Sequence, residues 1–182
     1  TGTSTGCTNT RTLSVTVNAT PTVAATSKTV CLGAAATLTA SGASSYAWNT
    51  GATTSSISVT PTITTNYTVV GTNTLGCSNT RTLAVTVNPL PNVASTSATI
   101  CAGATATITA SGASTYSWNT GATTANLTAS PASNTNYTVT GTSAAGCVKT
   151  TTASITVGAA PSISVNSSTI CAGATATLAA SG

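Results

Sequence analysis

Six cysteines recur in this chain with a single period. Cys7, Cys77 and Cys147 are evenly spaced, and Cys31, Cys101 and Cys171 keep the same spacing. Pro21, Pro91 and Pro161 share that step, as do Trp48 with Trp118 and Tyr67 with Tyr137. Aligned without a gap, residues 31–88 and 101–158 share 33 of 58 positions. A period of this size argues for small domains repeated along the chain rather than for one large fold. In this frame residues 1–18 are the C-terminal part of a repeat, 19–88 and 89–158 are full repeats, and 159–182 begin a further one. Partial repeats at both ends fit a stretch of a longer polymer of repeats.

Within a repeat the apolar residues alternate with polar ones. Ala36, Leu38 and Ala40 are separated by Thr37 and Thr39, and Leu83, Val85 and Val87 by Ala84 and Thr86. A period of two sends each set to one side of a β-strand, toward a core, with Thr and Ser on the other side. Thr and Val also favour strands because both are β-branched. Turn signals at Ser41-Gly42, Asn49-Thr50-Gly51, Thr60-Pro61 and Leu75-Gly76 separate the runs. Counting a short run at Thr22–Ala25, each repeat offers six or seven strands at roughly ten-residue spacing, the pattern of a β-sandwich. The fold class expected is therefore all-β, with one immunoglobulin-like sandwich in each repeat and the repeats arranged end to end. Short joints bearing Pro21, Pro91 or Pro161 fix φ and stiffen the passage between them.

A sandwich of this length is marginally stable alone and often carries a staple. Cys31 precedes the second strand and Cys77 lies in the turn between the last two. If both points share a pole, the pairs are Cys31–Cys77 and Cys101–Cys147, each closing a loop of about 47 residues worth ~4 kcal/mol on the chain-entropy model. Cys7 and Cys171 then pair with residues outside this stretch. The competing pair, Cys7 with Cys31, crosses a repeat boundary. Regular cysteines in a chain without His point to disulfides rather than zinc, and hence to an oxidising, extracellular setting.

The residue types that are missing exclude most chemistry. The 182 residues contain no Asp, Glu or His, and only four charged side chains: Arg11, Lys28, Arg81 and Lys149. General acid–base catalysis lacks its usual groups, so no catalytic residue and no cofactor are expected. Calcium and zinc lack their usual ligands, so no metal is expected either. Four scattered cations make no nucleic-acid footprint. No apolar run approaches the ~18 residues of a membrane span. Tyr46 and Trp48, like Tyr116 and Trp118, share the parity of a core face, so they are expected to pack inside rather than stack on a sugar. Tyr67 and Tyr137 open the penultimate strand, where a tyrosine-corner hydrogen bond is expected.

The segments Tyr46-Ala47-Trp48-Asn49-Thr50-Gly51-Ala52-Thr53 and Tyr116-Ser117-Trp118-Asn119-Thr120-Gly121-Ala122-Thr123 carry a resemblance. With Cys31-Leu32-Gly33, Asn66-Tyr67-Thr68-Val69 and Gly76-Cys77, they resemble the PKD-like, immunoglobulin-like repeats of large secreted surface proteins in Bacteroidota. Some of those proteins are gliding or attachment adhesins exported by the type IX route. The resemblance implies an extracellular, cell-surface protein. It does not extend to the acidic Gly-Asp-Gly turn of PKD domains proper, where this chain has Thr50-Gly51-Ala52.

Two functions follow as expectations. One is a structural segment of an extracellular filament or adhesin stalk, partnered by further copies along the fibre and by lateral copies in a bundle. The other is a module whose loops bind a surface glycan or a receptor. The near-identical, small-residue loops at 41–54 and 111–124 favour the first, because ligand-facing loops diversify or display aromatics and charges.

Overall fold

The structure is a computed structural model that describes residues 2–4 and 6–181; residues 1, 5 and 182 lie outside the described residues. The chain divides into two units, Thr1–Pro89 and Leu90–Gly182.

The first unit opens with a hairpin of β1 (Gly2–Ser4) and β2 (Cys7–Asn9). Seven further strands follow: β3 (Ala24–Ala25), β4 (Lys28–Cys31), β5 (Ala36–Ser41), β6 (Ser45–Trp48), β7 (Ser56–Val59), β8 (Thr65–Thr72) and β9 (Ser78–Asn88). They form a three-stranded sheet in the order β3-β5-β7 and a four-stranded sheet in the order β4-β9-β8-β6. The core between them takes Leu38 and Ile57 from one sheet and Trp48, Val69, Leu83 and Val85 from the other. Every pairing is antiparallel except β4 with β9, which run parallel. A first strand split between two sheets, its second half parallel to the last strand, belongs to the immunoglobulin-like sandwich.

The second unit repeats this plan with β10 (Ala94–Ser95), β11 (Ala98–Cys101), β12 (Ala106–Ser111), β13 (Thr115–Trp118), β14 (Asn126–Ala129), β15 (Thr135–Thr142) and β16 (Val148–Gly158). Its sheets are β10-β12-β14 and β11-β16-β15-β13. Ile108, Trp118, Leu127, Val139 and Ile155 fill its core. The pair β17 (Ser164–Val165) and β18 (Ala180–Ser181) follows.

Alternation is expressed directly as burial. Strands β5 and β12 bury every second residue and expose the ones between. The same pattern without its partner strands does not become a strand. Residues 10–18 match residues 80–88 of β9 except for Ser14 in place of Ala84 but have no regular structure, and Leu13 is 94% exposed where its equivalent Leu83 is 3% exposed. Likewise Leu178 is 67% exposed and Ile108 fully buried. Short strands are held by packing across a sheet and between sheets, not by propensity alone.

Two glycines show how tightly the sandwich closes. Gly42 has φ of +87°, and a Cβ there would run into the Thr22 carbonyl. Gly71 lies in β8, and a Cβ on it would sit 2.5 Å from Val23 Cγ2. That space lets Val23, just before β3, pack down onto the opposite sheet.

The expected pairs Cys31–Cys77 and Cys101–Cys147 are corrected by the structure. Cys77 and Cys101 are free thiols, while Cys31 and Cys147 are disulfide-bonded. The reason lies in the parallel β4–β9 ladder, which places Cys31 opposite Asn88 at the trailing end of β9. Cys77 precedes Ser78 at the leading end of that same 11-residue strand. The strand carries the two cysteines about 35 Å apart at ~3.3 Å per residue, whereas a disulfide needs Cα atoms within about 7 Å. The second unit has the same geometry, with Cys101 opposite Gly158 and Cys147 just ahead of Val148.

One departure between the units makes a prediction. Ser95 Oγ is buried with no hydrogen-bond partner, and the equivalent residue of the first unit is Ala25, buried in its core. A buried hydroxyl left unpaired costs roughly 1 kcal/mol or more. Ser95→Ala is expected to stabilise the second unit by about 1 kcal/mol, read as a higher urea midpoint at unchanged slope. A lower midpoint would mean that the hydroxyl has a partner.

Candidate functional site

Three features of each unit are candidates for function: the Trp-bearing loop, the threonine faces and the cysteine-bearing poles.

The loop after β6 spends its polar groups on itself. Trp48 is buried in the core, and its Nε1 donates to the Thr54 carbonyl at 2.9 Å. Its backbone N–H donates to the Ala52 carbonyl, and Gly51 N–H donates back to the Trp48 carbonyl. Asn49 Oδ1 accepts from Thr68 N–H at 3.2 Å, which ties the loop to β8. In the second unit Trp118 Nε1 donates to the Thr124 carbonyl at 3.0 Å, and Asn119 Oδ1 accepts from Thr138 N–H. Trp48 and Trp118 are 4% and 2% exposed, so neither ring presents an open face.

Tyr67 and Tyr137 are buried in their cores, while Tyr46 and Tyr116 are partly buried against them. The hydroxyl that folds back onto nearby backbone is that of Tyr46, not Tyr67. It donates to the Ala43 carbonyl at 3.0 Å and accepts from Ala43 N–H at 3.1 Å. Tyr116 does the same at Ala113. Sequence parity could place these rings on a face, but it carries no signal for a hydroxyl turning back to residues just before it in the chain.

The outward faces of the sheets carry hydroxyls in rows. On β12 and β14 the pairs are Thr107–Thr128 at 3.1 Å and Thr109–Asn126 at 2.9 Å, with Thr105–Ser130 at 2.8 Å just beyond them. On the first unit Thr39 meets Ser56 at 3.3 Å, and Ser56 Oγ donates to the Leu38 carbonyl. Cross-strand hydroxyl pairs of this kind support a sheet by a few tenths of a kcal/mol up to about 1 kcal/mol each. These faces are neutral, regular and already bonded sideways.

The poles carry the cysteines. At the leading pole of the first unit, the turn between β8 and β9 is built around Asn73. Its Oδ1 accepts from Leu75 and Cys77 N–H, and its Nδ2 donates to the Ala19 carbonyl at 2.9 Å. Cys77 Sγ lies 3.8 Å from the Asn18 carbonyl. At the trailing pole, Leu32 N–H donates to the Asn88 carbonyl at 2.9 Å beside Cys31. Cys147 is fully buried and Cys31 partly so, whereas Cys7, Cys101 and Cys171 are exposed. Among the described residues no three His, Cys, Asp or Glu side chains gather into a metal-binding group, and no helix is long and apolar enough to cross a membrane.

Each unit is thus an immunoglobulin-like β-sandwich. No protein-family model matches the chain, and no curated protein does. Among solved structures it is similar to the titin domains Z1Z2 in complex with telethonin, at 18% identity over 80% of this chain and 100% of that one, with a TM-score of 0.34. It is also similar to a 1.5-MDa bacterial ice-binding adhesin, at 17% identity over 82% of this chain and 70% of that one, TM-score 0.37. A third is a Ca²⁺-stabilised adhesin with which an Antarctic bacterium binds ice, at 17% identity over 82% and 52%, TM-score 0.40. Likenesses at this level carry no argument about what this chain binds.

Proposed function

We propose that the chain is a structural segment of an extracellular filament or surface-adhesin stalk, in which immunoglobulin-like repeats follow one another and supply length and stiffness. The observation that carries this reading is the way the polar groups are spent. In both units the Trp-bearing loop closes on its own backbone, and the Thr rows of the sheets bond to one another. With no Asp, Glu or His in the sequence, these surfaces hold little that could grip or transform a ligand. Kinship with PKD-like repeats of secreted Bacteroidota surface proteins fits the Tyr-x-Trp-Asn-Thr-Gly-Ala-Thr segments. Bonded cysteines suit an oxidising location outside the cell. The partners that fit are further copies along the fibre and lateral copies meeting on neutral hydroxyl faces.

The reading is tested by applying the chain to a broad glycan array, with its binding followed by titration. A structural segment leaves no specific, saturable signal. A glycan bound specifically and saturably by the folded chain would establish the binding-module reading instead.

A further inference from the structure

We propose that Asn66 and Asn136 are glycosylation sites, each carrying an oligosaccharide linked through its side-chain amide nitrogen. This goes beyond the stalk reading and rests on the extracellular location that the reading assigns. Asn66-Tyr67-Thr68 and Asn136-Tyr137-Thr138 both match the Asn-x-Ser/Thr acceptor pattern, in which x is not Pro. Asn18, Asn126 and Asn166 open the same pattern, but the equivalent positions of the other repeats do not. The pair at Asn66 and Asn136 alone recurs in both full repeats.

The strands present these two sites outward. Tyr67 and Tyr137 are buried in their cores, so alternation turns the residues on either side of each tyrosine to the opposite face. Asn66 is exposed near the start of β8, and Asn136 near the start of β15. Strand β6 covers β8 only over residues 69–72, and β13 covers β15 only over residues 139–142. Each asparagine therefore sits beyond the reach of the edge strand. Its cross-strand neighbour is short, Ala84 for Asn66 and Ser154 for Asn136. A sugar leaving either amide meets no bulky side chain there.

Neither side chain serves the fold. Among the described residues, the amides of Asn66 and Asn136 have no hydrogen-bond partner. Other asparagines hold the backbone: the Oδ1 atoms of Asn49, Asn119, Asn134 and Asn166 accept from the N–H groups of Thr68, Thr138, Val157 and Ala179. Asn is also depleted in strands, where Thr or Val fits better. An unbonded strand asparagine at the same place in both units is accounted for by the chemistry of its amide. In that chemistry Nδ2 attacks C1 of the first sugar of a polyprenyl-diphosphate-linked oligosaccharide. The C1–N bond forms as the C1–O bond to the diphosphate breaks. The polyprenyl diphosphate leaves with the bonding pair, and the amide gives one proton to a base of the transferase. No hydrogen bond of the folded unit has to be given up to hold the product.

Glycopeptide mapping of the protein purified in its native form tests the assignment. The protein is reduced, alkylated and cut with trypsin. Cleavage after Lys28, Arg81 and Lys149 gives peptide 29–81, in which Asn66 opens the one acceptor pattern, and peptide 82–149, which holds Asn126 and Asn136. Electron-transfer fragmentation, which leaves sugars attached, then locates the added mass. The expected result is a glycan on Asn66 in the first peptide and on Asn136 in the second. Either asparagine recovered only in its unmodified form would overturn the proposal. So would sugar mapped to Thr68, Thr138 or another hydroxyl in place of the amides. None of these outcomes bears on whether the repeats serve as a stalk, which the glycan array addresses separately.

Discussion

Replacing Trp118 by alanine is expected to unfold the second unit at room temperature and leave the first intact. Trp118 is 2% exposed and packs with Ile108, Val139 and Ile155. Truncating a buried aromatic costs roughly 3–5 kcal/mol, and a single core in a domain of roughly 70–80 residues rarely supplies more than about 3–5 kcal/mol. The loss also strands the Thr124 carbonyl that Nε1 holds. Far-UV circular dichroism under a urea gradient should lose the transition of one unit, with Trp48 fluorescence still reporting a folded partner. Trp118→Phe should fall between the two. An unchanged transition would mean that the ring does not belong to the core.

Much of the sandwich was legible in the sequence, because alternation and burial have the same period of two. Ala36, Leu38 and Ala40 announce a strand and its inward face, and Ser41-Gly42 announces the turn that follows. Two things were not legible. Leu13, Val15 and Val17 show the same alternation as Leu83, Val85 and Val87, yet lie exposed outside any strand. A pattern states what a strand would bury, not whether a sheet is present to bury it. The other is the split first strand. Thr22–Ala25 reads as one short run, but β3 joins one sheet and β4 crosses to pair in parallel with β9. A parallel pairing leaves no mark in periodicity, and it alone sends Cys31 to the pole opposite Cys77. Loop closure within a repeat was therefore a poor guide to the pairing.

The most direct test of the proposed structural role is an electron-microscopic image of the protein purified in its native form. A stalk or filament of end-to-end sandwiches predicts a uniform rod with an axial repeat of roughly 30–45 Å, the length of strands of about six to eleven residues plus a joint. A compact particle with no axial repeat would contradict it.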